Sequence, residues 1–241
     1  MNKILYTVNL GGYDKTPSIR PDVLRDGWRA LYFTDRPETL PAGWELGRIP
    51  WDDLPACIGQ AEPVMAAKSF KILPWLCLGD DWERSAWIDA NIKYRRPLEI
   101  LSARHSQGFV TMAQPQLDSL YQELDKLVRN GKRPYMADQK ASYREQLEYY
   151  EATETPDRDG HACRTCVIFR NNTNSVRTLC EDWYQEFWSW NNGRDQVALR
   201  KVLNDSGRTI RRIRRGRFPI AFRKHVWQEE NPSWRDTTEV I

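Results

Sequence analysis

The 241-residue chain has no run of about 18 consecutive apolar residues, which excludes a helix that crosses a bilayer. Its 5 cysteines are too few for a disulfide scaffold. Because their number is odd and no export signal is recognised, we expect a reducing, cytoplasmic environment. The 13 glycines and 14 prolines exclude a low-complexity chain, and 40% hydrophobic with 29% charged residues excludes a disordered one. One globular domain, with or without an appendage, remains.

The formal net charge of +3 conceals an uneven distribution of basic residues. Eight of them, with no acidic residue between, lie near the C-terminus: Arg208, Arg211, Arg212, Arg214, Arg215, Arg217, Arg223 and Lys224. The other 28 basic residues face 33 acidic ones, so the remainder of the chain carries −5. Such a segment is typical of proteins that bind nucleic acid, an anionic membrane or a phosphorylated substrate. A solvated pair of strands with outward-facing arginines explains it equally well.

Short apolar runs alternate with helical patterns, which predicts an α/β domain with a mainly parallel sheet. Strands are expected at residues 3–8, 30–34, 44–49, 84–89 and 166–170. Helices are expected at residues 62–78, 115–129, 135–152, 176–190 and 194–203. Pro74 is expected to bend or end the first of these helices. Most of the 11 tryptophans are expected to pack in the core.

The segment Trp87–Ile92 contains a candidate metal site. If Asp89 and Asn91 belong to the end of a strand, their side chains fall on the same face, since the period of a strand is two. Two oxygen-bearing side chains at that position form half of a site for Mg²⁺ or Mn²⁺. The ends of parallel strands are also where α/β folds bind ligands. A turn or a helix cap is the alternative explanation for such a pair.

Five segments taken together indicate a family more specifically than Asp89 and Asn91 do alone: Tyr6–Asp14, Tyr32–Asp35, Lys68–Pro74, Trp87–Ile92 and Arg194–Gln196. Their order and spacing resemble a glycosyltransferase-like family, long known as a domain of unknown function, with members in plant cell-wall and mucilage synthesis, bacteria and viruses. More distantly, they resemble the GT-A nucleotide-sugar transferases. The resemblance implies a GT-A, Rossmann-like domain over residues 1–205, with the Arg-rich residues 206–241 packed on it or extending from it.

The activity that this resemblance implies is transfer of a sugar from a nucleotide-sugar donor, expected to be UDP-linked, to a hydroxyl group. Mn²⁺ or Mg²⁺ would assist. The acceptor would be a glycan, a lipid-linked glycan or a hydroxylated base of phage-type DNA, and the enzyme would be cytoplasmic or peripheral to the inner membrane face. The alternative is a non-catalytic protein that binds nucleic acid or an anionic membrane on a transferase-like scaffold.

The resemblance also implies roles for individual residues. Asp195, with Gln196 beside it, would face the anomeric carbon of the donor sugar. The donor would be bound by eight residues: Tyr6, Thr7, Asn9, Tyr13, Asp14, Asp35, Lys68 and Lys71. The metal would be held by Asp89, Asn91 and His225, and more weakly than by two carboxylates because Asn91 is an amide. His105 would face the acceptor. A solvated helix face for the two lysines, and a helix-terminal charge for Asp195, remain open.

Two further patterns lie outside the resemblance. Arg211, Arg212, Arg214 and Arg215 are expected to contact an anionic acceptor surface, either a membrane or a DNA backbone. His161, Cys163 and Cys166 have a spacing that can supply three zinc ligands. No second Cys/His pair follows at finger spacing, and Cys166 begins an expected strand, which disfavours zinc.

Overall fold

The computed structural model describes residues 2–95, 97–98, 108–114, 119–130, 139–155, 157, 163–213 and 220–222. The strands are β1 Lys3–Asn9, β2 Trp28–Thr34, β3 Glu45–Gly47, β4 Arg84–Ile88, β5 Ile92–Tyr94, β6 Phe109–Ala113, β7 Cys163–Asn171, β8 Arg211–Ile213 and β9 Ile220–Phe222. The helices are α1 Ala56–Gly59, α2 Pro63–Ile72, α3 Trp75–Leu78, α4 Leu120–Asn130, α5 Gln139–Ala152, α6 Asn174–Trp190 and α7 Asp195–Ser206. Short 3-10 helices lie at Pro21–Val23, Pro37–Thr39 and Trp51–Asp53.

Seven strands form one sheet in the order β3-β2-β1-β4-β7-β6-β8. Every neighbouring pair is parallel except the two that involve β7, which runs against β4 and β6. Strands β5 and β9 form a separate antiparallel pair. The α/β architecture with a mainly parallel sheet is therefore confirmed, and the single reversed strand is a feature that the pattern of apolar runs does not specify.

Alternating residues of the central strands supply two hydrophobic cores, one on each face of the sheet. Tyr6 of β1 packs in the first core with residues of α2, α6 and α7, whereas its neighbour Leu5 packs in the second. Trp183 of α6 is fully buried in the first core. Within the described residues, five tryptophans are buried: Trp28, Trp44, Trp82, Trp87 and Trp183. Three more are partly buried and pack against the hydrophobic clusters, namely Trp75, Trp188 and Trp190, so most of the 11 tryptophans serve packing, as expected.

The bounds of several expected elements differ from the structure, and strands β5, β6, β8 and β9 were not expected. The helix expected at residues 62–78 is divided into α2 and α3 around Pro74, which has no N–H to continue the hydrogen-bond ladder. Strand β7 begins at Cys163, before its expected start. Because Cys163 packs in the first core and Cys166 in the second, their thiols lie on opposite faces of the sheet. The zinc alternative is therefore wrong for this pair; His161 lies outside the described residues.

The C-terminal basic segment is described in two short pieces. Strand β8 adds to the edge of the main sheet beside β6, with Val110 opposite Arg211. Strand β9 pairs with β5. Both pieces are thus connected by backbone hydrogen bonds to strands of the preceding domain. Within the described ranges, no helix is both long enough and apolar enough to cross a membrane.

Candidate functional site

Several of the polar residues singled out in the sequence meet at the edge of the sheet where β1, β2 and β4 end. Strand β7 begins at the same edge because it runs in the opposite direction. Helix α7 begins there with Asp195, and α2 brings Lys68 and Lys71 to it. The carboxyl edge of a parallel sheet is the usual ligand-binding position of α/β folds, and here it gathers side chains from four separate segments.

Asp89 lies in a turn and not in a strand. Strand β4 ends at Ile88, and the backbone N–H of Ile92 donates to the carbonyl of Asp89 at 2.9 Å. The expectation that Asp89 and Asn91 share a strand face is therefore wrong. The Asp89 carboxylate accepts hydrogen bonds through Oδ1 from Trp87 Nε1 at 2.8 Å and from Lys71 Nζ at 3.2 Å. Its side chain is 36% exposed, whereas Asn91 is buried.

Lys71 connects the two acidic residues of the site. Its Nζ lies 2.8 Å from Asp195 Oδ2 and 3.2 Å from Asp89 Oδ1, and its side chain is only 4% exposed. Burial by itself would lower the pKa of Lys71, but the charges of Asp195 and Asp89 raise it above its ordinary value. Lys71 is thus a charged ammonium enclosed by protein, and the alternative of a solvated helix face is wrong for it.

Asp195 is the anion at the centre of this cluster. Its Oδ1 accepts from Lys68 Nζ at 3.0 Å, and its Oδ2 accepts from Thr165 Oγ1 at 2.5 Å as well as from Lys71. Burial would raise the pKa of this carboxyl, but the charges of Lys68 and Lys71 hold it well below its usual range. The residue also opens α7, where the helix dipole favours a negative charge. Asp195 is therefore ionised, enclosed and bonded on both oxygens.

Two side chains of the site reach solvent beside Asp195. Lys68 is 24% exposed and donates to the Gly193 carbonyl as well as to Asp195. Gln196 is half-buried, and no hydrogen bond joins its side-chain amide to another described residue. Lys68 is therefore a partly exposed ammonium in direct contact with Asp195, and Gln196 follows Asp195 in the first turn of α7.

A loop after β1 borders the same edge. Gly11 and Gly12 both have positive φ, at +67° and +69°, a conformation that favours glycine. The N–H of Gly11 donates to both carboxylate oxygens of Asp35 at 3.0 Å. Asn9 holds the other end of the loop, donating to the Asp14 carbonyl at 2.6 Å and accepting from the Asp14 N–H at 3.1 Å. These side chains fix the loop that carries Tyr13 and Asp14.

We expect Asn9→Ala to destabilise the protein by about 1–3 kcal/mol and to loosen this loop. The substitution removes the hydrogen bonds of Asn9 to two backbone groups of Asp14 and to the Tyr32 hydroxyl, which lies 3.0 Å from Asn9 Nδ2. Urea denaturation measures the loss, and hydrogen exchange should accelerate at residues 11–14 before the rest of the protein. Exchange that accelerates uniformly along the chain would contradict a local role.

Tyr6 and Thr7 do not line an accessible surface. Both are fully buried in β1, and the Tyr6 hydroxyl accepts from Arg170 Nη1 at 2.9 Å and donates to the Phe70 carbonyl at 3.3 Å. A direct contact of Tyr6 with a donor is not compatible with this arrangement, because the residue supports the junction between the sheet and α2. The Thr7 hydroxyl is buried without a hydrogen-bond partner among the described residues.

Of the three expected metal ligands, the structure describes Asp89, which is partly exposed, and Asn91, which is buried. No group of three or more His, Cys, Asp or Glu side chains within the described residues is arranged to hold a metal. Asp89 Oδ1 is occupied by Trp87 and Lys71, which leaves Oδ2 on the exposed side. Mg²⁺ is commonly bound through one or two protein oxygens together with water and substrate phosphates. The residues therefore fit a cation that binds with a phosphate ligand, rather than one held in a protein cage.

The remaining candidates lie outside this cluster. His105, His225, Arg214 and Arg215 fall outside the described residues. Arg211 is exposed on β8, and Arg212 is half-buried there. Burial lowers the pKa of Arg212 below its ordinary value. Strand β8 is separated from β4 by β7 and β6, so the described arginines do not touch the Asp89 turn.

Thr165 is the residue of this site that the sequence did not indicate. It lies between Cys163 and Cys166, a segment whose spacing suggested zinc ligands and not a partner of Asp195. Its hydroxyl donates to Asp195 because β7 starts at the site edge. A threonine just before the apolar run Cys166–Phe169 is the available signal, and its meaning depends on the strand direction.

The sequence matches no family model, and no curated protein matches it. Solved structures do match the fold. Apo mouse xyloside xylosyltransferase 1 is similar with a TM-score of 0.50 and 8% identity, over 88% of this chain and 85% of that one. The apo bifunctional glycosyltransferase WbbM is similar with a TM-score of 0.51 and 8% identity, over 88% of this chain and 38% of that one. At this identity the likeness establishes the fold, which is shared with glycosyltransferases.

Proposed function

We propose that the protein is a glycosyltransferase that uses a nucleotide-sugar donor, with UDP as the nucleotide and Mn²⁺ or Mg²⁺ as the assisting cation. The observation that carries this proposal is the cluster Asp89–Lys71–Asp195–Lys68 at the carboxyl edge of the sheet. It combines fixed charges of both signs at the ligand-binding edge of a fold that solved glycosyltransferases share. Such preorganised charges suit a reaction in which charge separates.

The chemistry requires charge to be stabilised at two places. When the bond between the sugar and the diphosphate breaks, negative charge grows on the leaving diphosphate and positive charge on the sugar. The Lys68 ammonium, partly exposed and oriented by Asp195, is placed to donate to the diphosphate. A divalent cation bound to Asp89 and Asn91 together with the phosphates would supply Lewis-acid stabilisation of the same charge.

Asp195 acts in this scheme as a positioning residue. Its side chain is 5% exposed and both of its oxygens already accept hydrogen bonds, so it does not offer a free oxygen to the sugar. The carboxylate fixes the two lysines, and its negative charge also acts on the developing cation from a short distance. Gln196 follows it in the chain, is half-buried and has no hydrogen bond from its side chain to a described residue, and we assign to Gln196 the direct contact with the donor sugar.

A hydroxyl group of a glycan, a lipid-linked glycan or a modified DNA base would accept the sugar. Arg211 and Arg212, together with Arg214 and Arg215, remain the candidates for contact with an anionic acceptor. This part of the proposal rests on their charge alone.

The test of the proposal is nucleotide binding followed by donor hydrolysis. UDP with Mn²⁺ should raise the melting temperature of the purified protein, because a ligand that binds only the native state stabilises it. UDP-sugars should be hydrolysed slowly when water replaces the acceptor. A panel of UDP-glucose, UDP-galactose, UDP-xylose and UDP-N-acetylglucosamine covers the common sugars. The absence of a thermal shift with UDP, GDP, ADP and CDP, each with Mn²⁺ and with Mg²⁺, would contradict the proposal.

A further inference from the structure

Helix α2 ends with a carbonyl group that its own backbone cannot satisfy. In an α-helix the carbonyl of residue 70 accepts from the N–H of residue 74, but Pro74 has no N–H. The preceding N–H, that of Leu73, donates to the Ser69 carbonyl at 2.8 Å. The carbonyl of Phe70, a fully buried residue, therefore depends on a donor from another part of the chain.

Two buried side chains of the sheet supply donors to this end of α2. The hydroxyl of Tyr6, on β1, donates to the Phe70 carbonyl at 3.3 Å. Arg170, on β7, donates through Nη2 to the next carbonyl, that of Lys71, at 2.6 Å. Its Nη1 donates to the Tyr6 hydroxyl at 2.9 Å, which joins the two donors to one another. The last turn of α2 is thus bonded to β1 and β7 together.

The charge of Arg170 suits this position. The residue is 1% exposed, and no ion pair joins its guanidinium to a carboxylate of the described ranges. Its Cζ lies 5.4 Å from the ring centroid of Phe109 and 6.0 Å from that of Trp183. The C-terminal end of a helix carries a partial negative charge, which a nearby cation stabilises. Arg170 therefore holds the end of this ten-residue helix more strongly than a neutral donor would.

Lys71, whose carbonyl Arg170 holds, is also the residue whose ammonium lies between the two carboxylates of the site. Its Nζ is 2.8 Å from Asp195 Oδ2 and 3.2 Å from Asp89 Oδ1. The second distance is at the upper end of the range for an N–H···O hydrogen bond, so a displacement of roughly 0.5 Å would break it. The position of the last turn of α2 consequently decides whether Lys71 orients Asp89.

Resting on the proposed function, we propose that Arg170, together with Tyr6, is a positioning residue of the site. By fixing the last turn of α2, it holds the Lys71 ammonium against one oxygen of Asp89 and leaves the other oxygen directed to the cation and the donor diphosphate. Among the described residues, the hydrogen bonds of Arg170 reach the charged cluster only at the Lys71 carbonyl. Its effect on binding therefore passes through Lys71.

The first measurement needs no ligand. Trp87 Nε1 donates to the same Asp89 oxygen as Lys71 does, so the indole N–H signal of Trp87 in an NMR spectrum reports on their arrangement. Arg170→Met should shift this signal, because the loss of the guanidinium releases the Lys71 carbonyl and with it the ammonium. A general loss of stability in a protein that remains folded would not move it.

The second measurement is the dissociation constant of UDP with Mn²⁺ present, taken by calorimetry at a temperature where each variant is folded. Arg170→Met should raise it at least about 10-fold, and Tyr6→Phe, which removes only the hydroxyl, at least about 3-fold. The matched control is Arg200→Met, since Arg200 is also buried, at 2% exposed, but pairs with Asp157. The control should lose stability and keep both the Trp87 signal and the UDP affinity, the latter within about 2-fold.

The outcomes separate this inference from the function on which it rests. If UDP with Mn²⁺ does not bind the unmodified protein, the proposed function is overturned, and the role of Arg170 in it as well. If UDP binds but Arg170→Met and Arg200→Met weaken it equally, or if the Trp87 signal of Arg170→Met is unchanged, only the positioning role is overturned. Should Arg170→Met fail to fold, Tyr6→Phe decides the question, and an affinity equal to that of the unmodified protein overturns the positioning role.

Discussion

Replacing Asp195 with Asn should lower the free energy of unfolding by about 3–5 kcal/mol. The change removes the main counter-charge of Lys71, whose side chain is 4% exposed, and leaves Asp89 as its remaining anion. An ammonium cannot be enclosed at low cost without a compensating charge. Urea denaturation followed by tryptophan fluorescence measures the loss, and Trp183, which donates to the Asp195 carbonyl at 2.7 Å, reports on this region.

A double-mutant cycle separates the ion pair from other effects of the substitution. Lys71→Met combined with Asp195→Asn should cost less than the sum of the single changes, by about 0.5–3 kcal/mol, because each single variant leaves one charge without its partner. Asp205→Asn is the matched control, because Asp205 is an exposed carboxylate that pairs with Lys201 at the opposite end of α7, and it should change stability by less than about 1 kcal/mol. Strict additivity of the two buried changes would contradict the pairing.

The same cluster makes the free energy of unfolding depend on pH. Folding lowers the pKa of Asp195, so its stabilisation is complete above the unfolded value of about 3.9 and is lost as pH falls below it. Folding raises the pKa of Lys71, so its stabilisation is complete below about 10.4 and is lost as pH rises above it. The cluster therefore contributes most to the free energy of unfolding between about pH 3.9 and about pH 10.4.

Asp89→Ala should abolish the joint stabilisation by UDP and Mn²⁺. At a ligand concentration of 100 times Kd, the unmodified protein gains about 2.7 kcal/mol, and the variant should gain almost none. Asp89 supplies the exposed carboxylate at the turn after β4, and no other acidic side chain of the described cluster has an oxygen without a bond. Thermal denaturation with UDP alone, with Mn²⁺ alone and with both together measures the extra stabilisation that appears only when both ligands are present.

The fold of the Asp89→Ala variant should survive. Lys71 retains Asp195 at 2.8 Å, and the lost hydrogen bond from Trp87 costs about 1 kcal/mol. Asp205→Ala, measured in the same way, should keep the full response to UDP and Mn²⁺. A variant at Asp89 that melts normally and still responds to the two ligands together would show that the cation binds elsewhere.

Five of the described strands could be predicted from the sequence because each contains a short apolar run, whereas β5, β6, β8 and β9 were not predicted. Lys3–Val8 and Arg84–Asp89 are such runs, and the structure changes their ends by a single residue. The direction of β7 could not be predicted, because a buried strand has the same composition in either direction. That direction decides whether Thr165 or Arg170 lies at the site edge, so the sequence left part of the candidate site undetermined.

The different roles of Lys68 and Lys71 could not be predicted from the sequence either. The two residues are three positions apart on one helix face, and the sequence indicated a pair with a common role. In the structure Lys71 is enclosed between two carboxylates, whereas Lys68 is 24% exposed. Depth below the surface depends on which elements cover α2, namely β1 and α6, and periodicity along one helix does not contain that information.

The ion pair between Lys68 and Asp195 also constrains the order in which the protein can fold. The two residues are 127 positions apart, and Tyr6 and Arg170 are 164 apart. Closing such long loops costs entropy before the contacts compensate for it, so we expect refolding on the millisecond-to-second scale. During synthesis, the ammonium groups of α2 emerge from the ribosome well before their carboxylate. The ion pairs of Lys68 and Lys71 with Asp195 can therefore form only after α7 has been made.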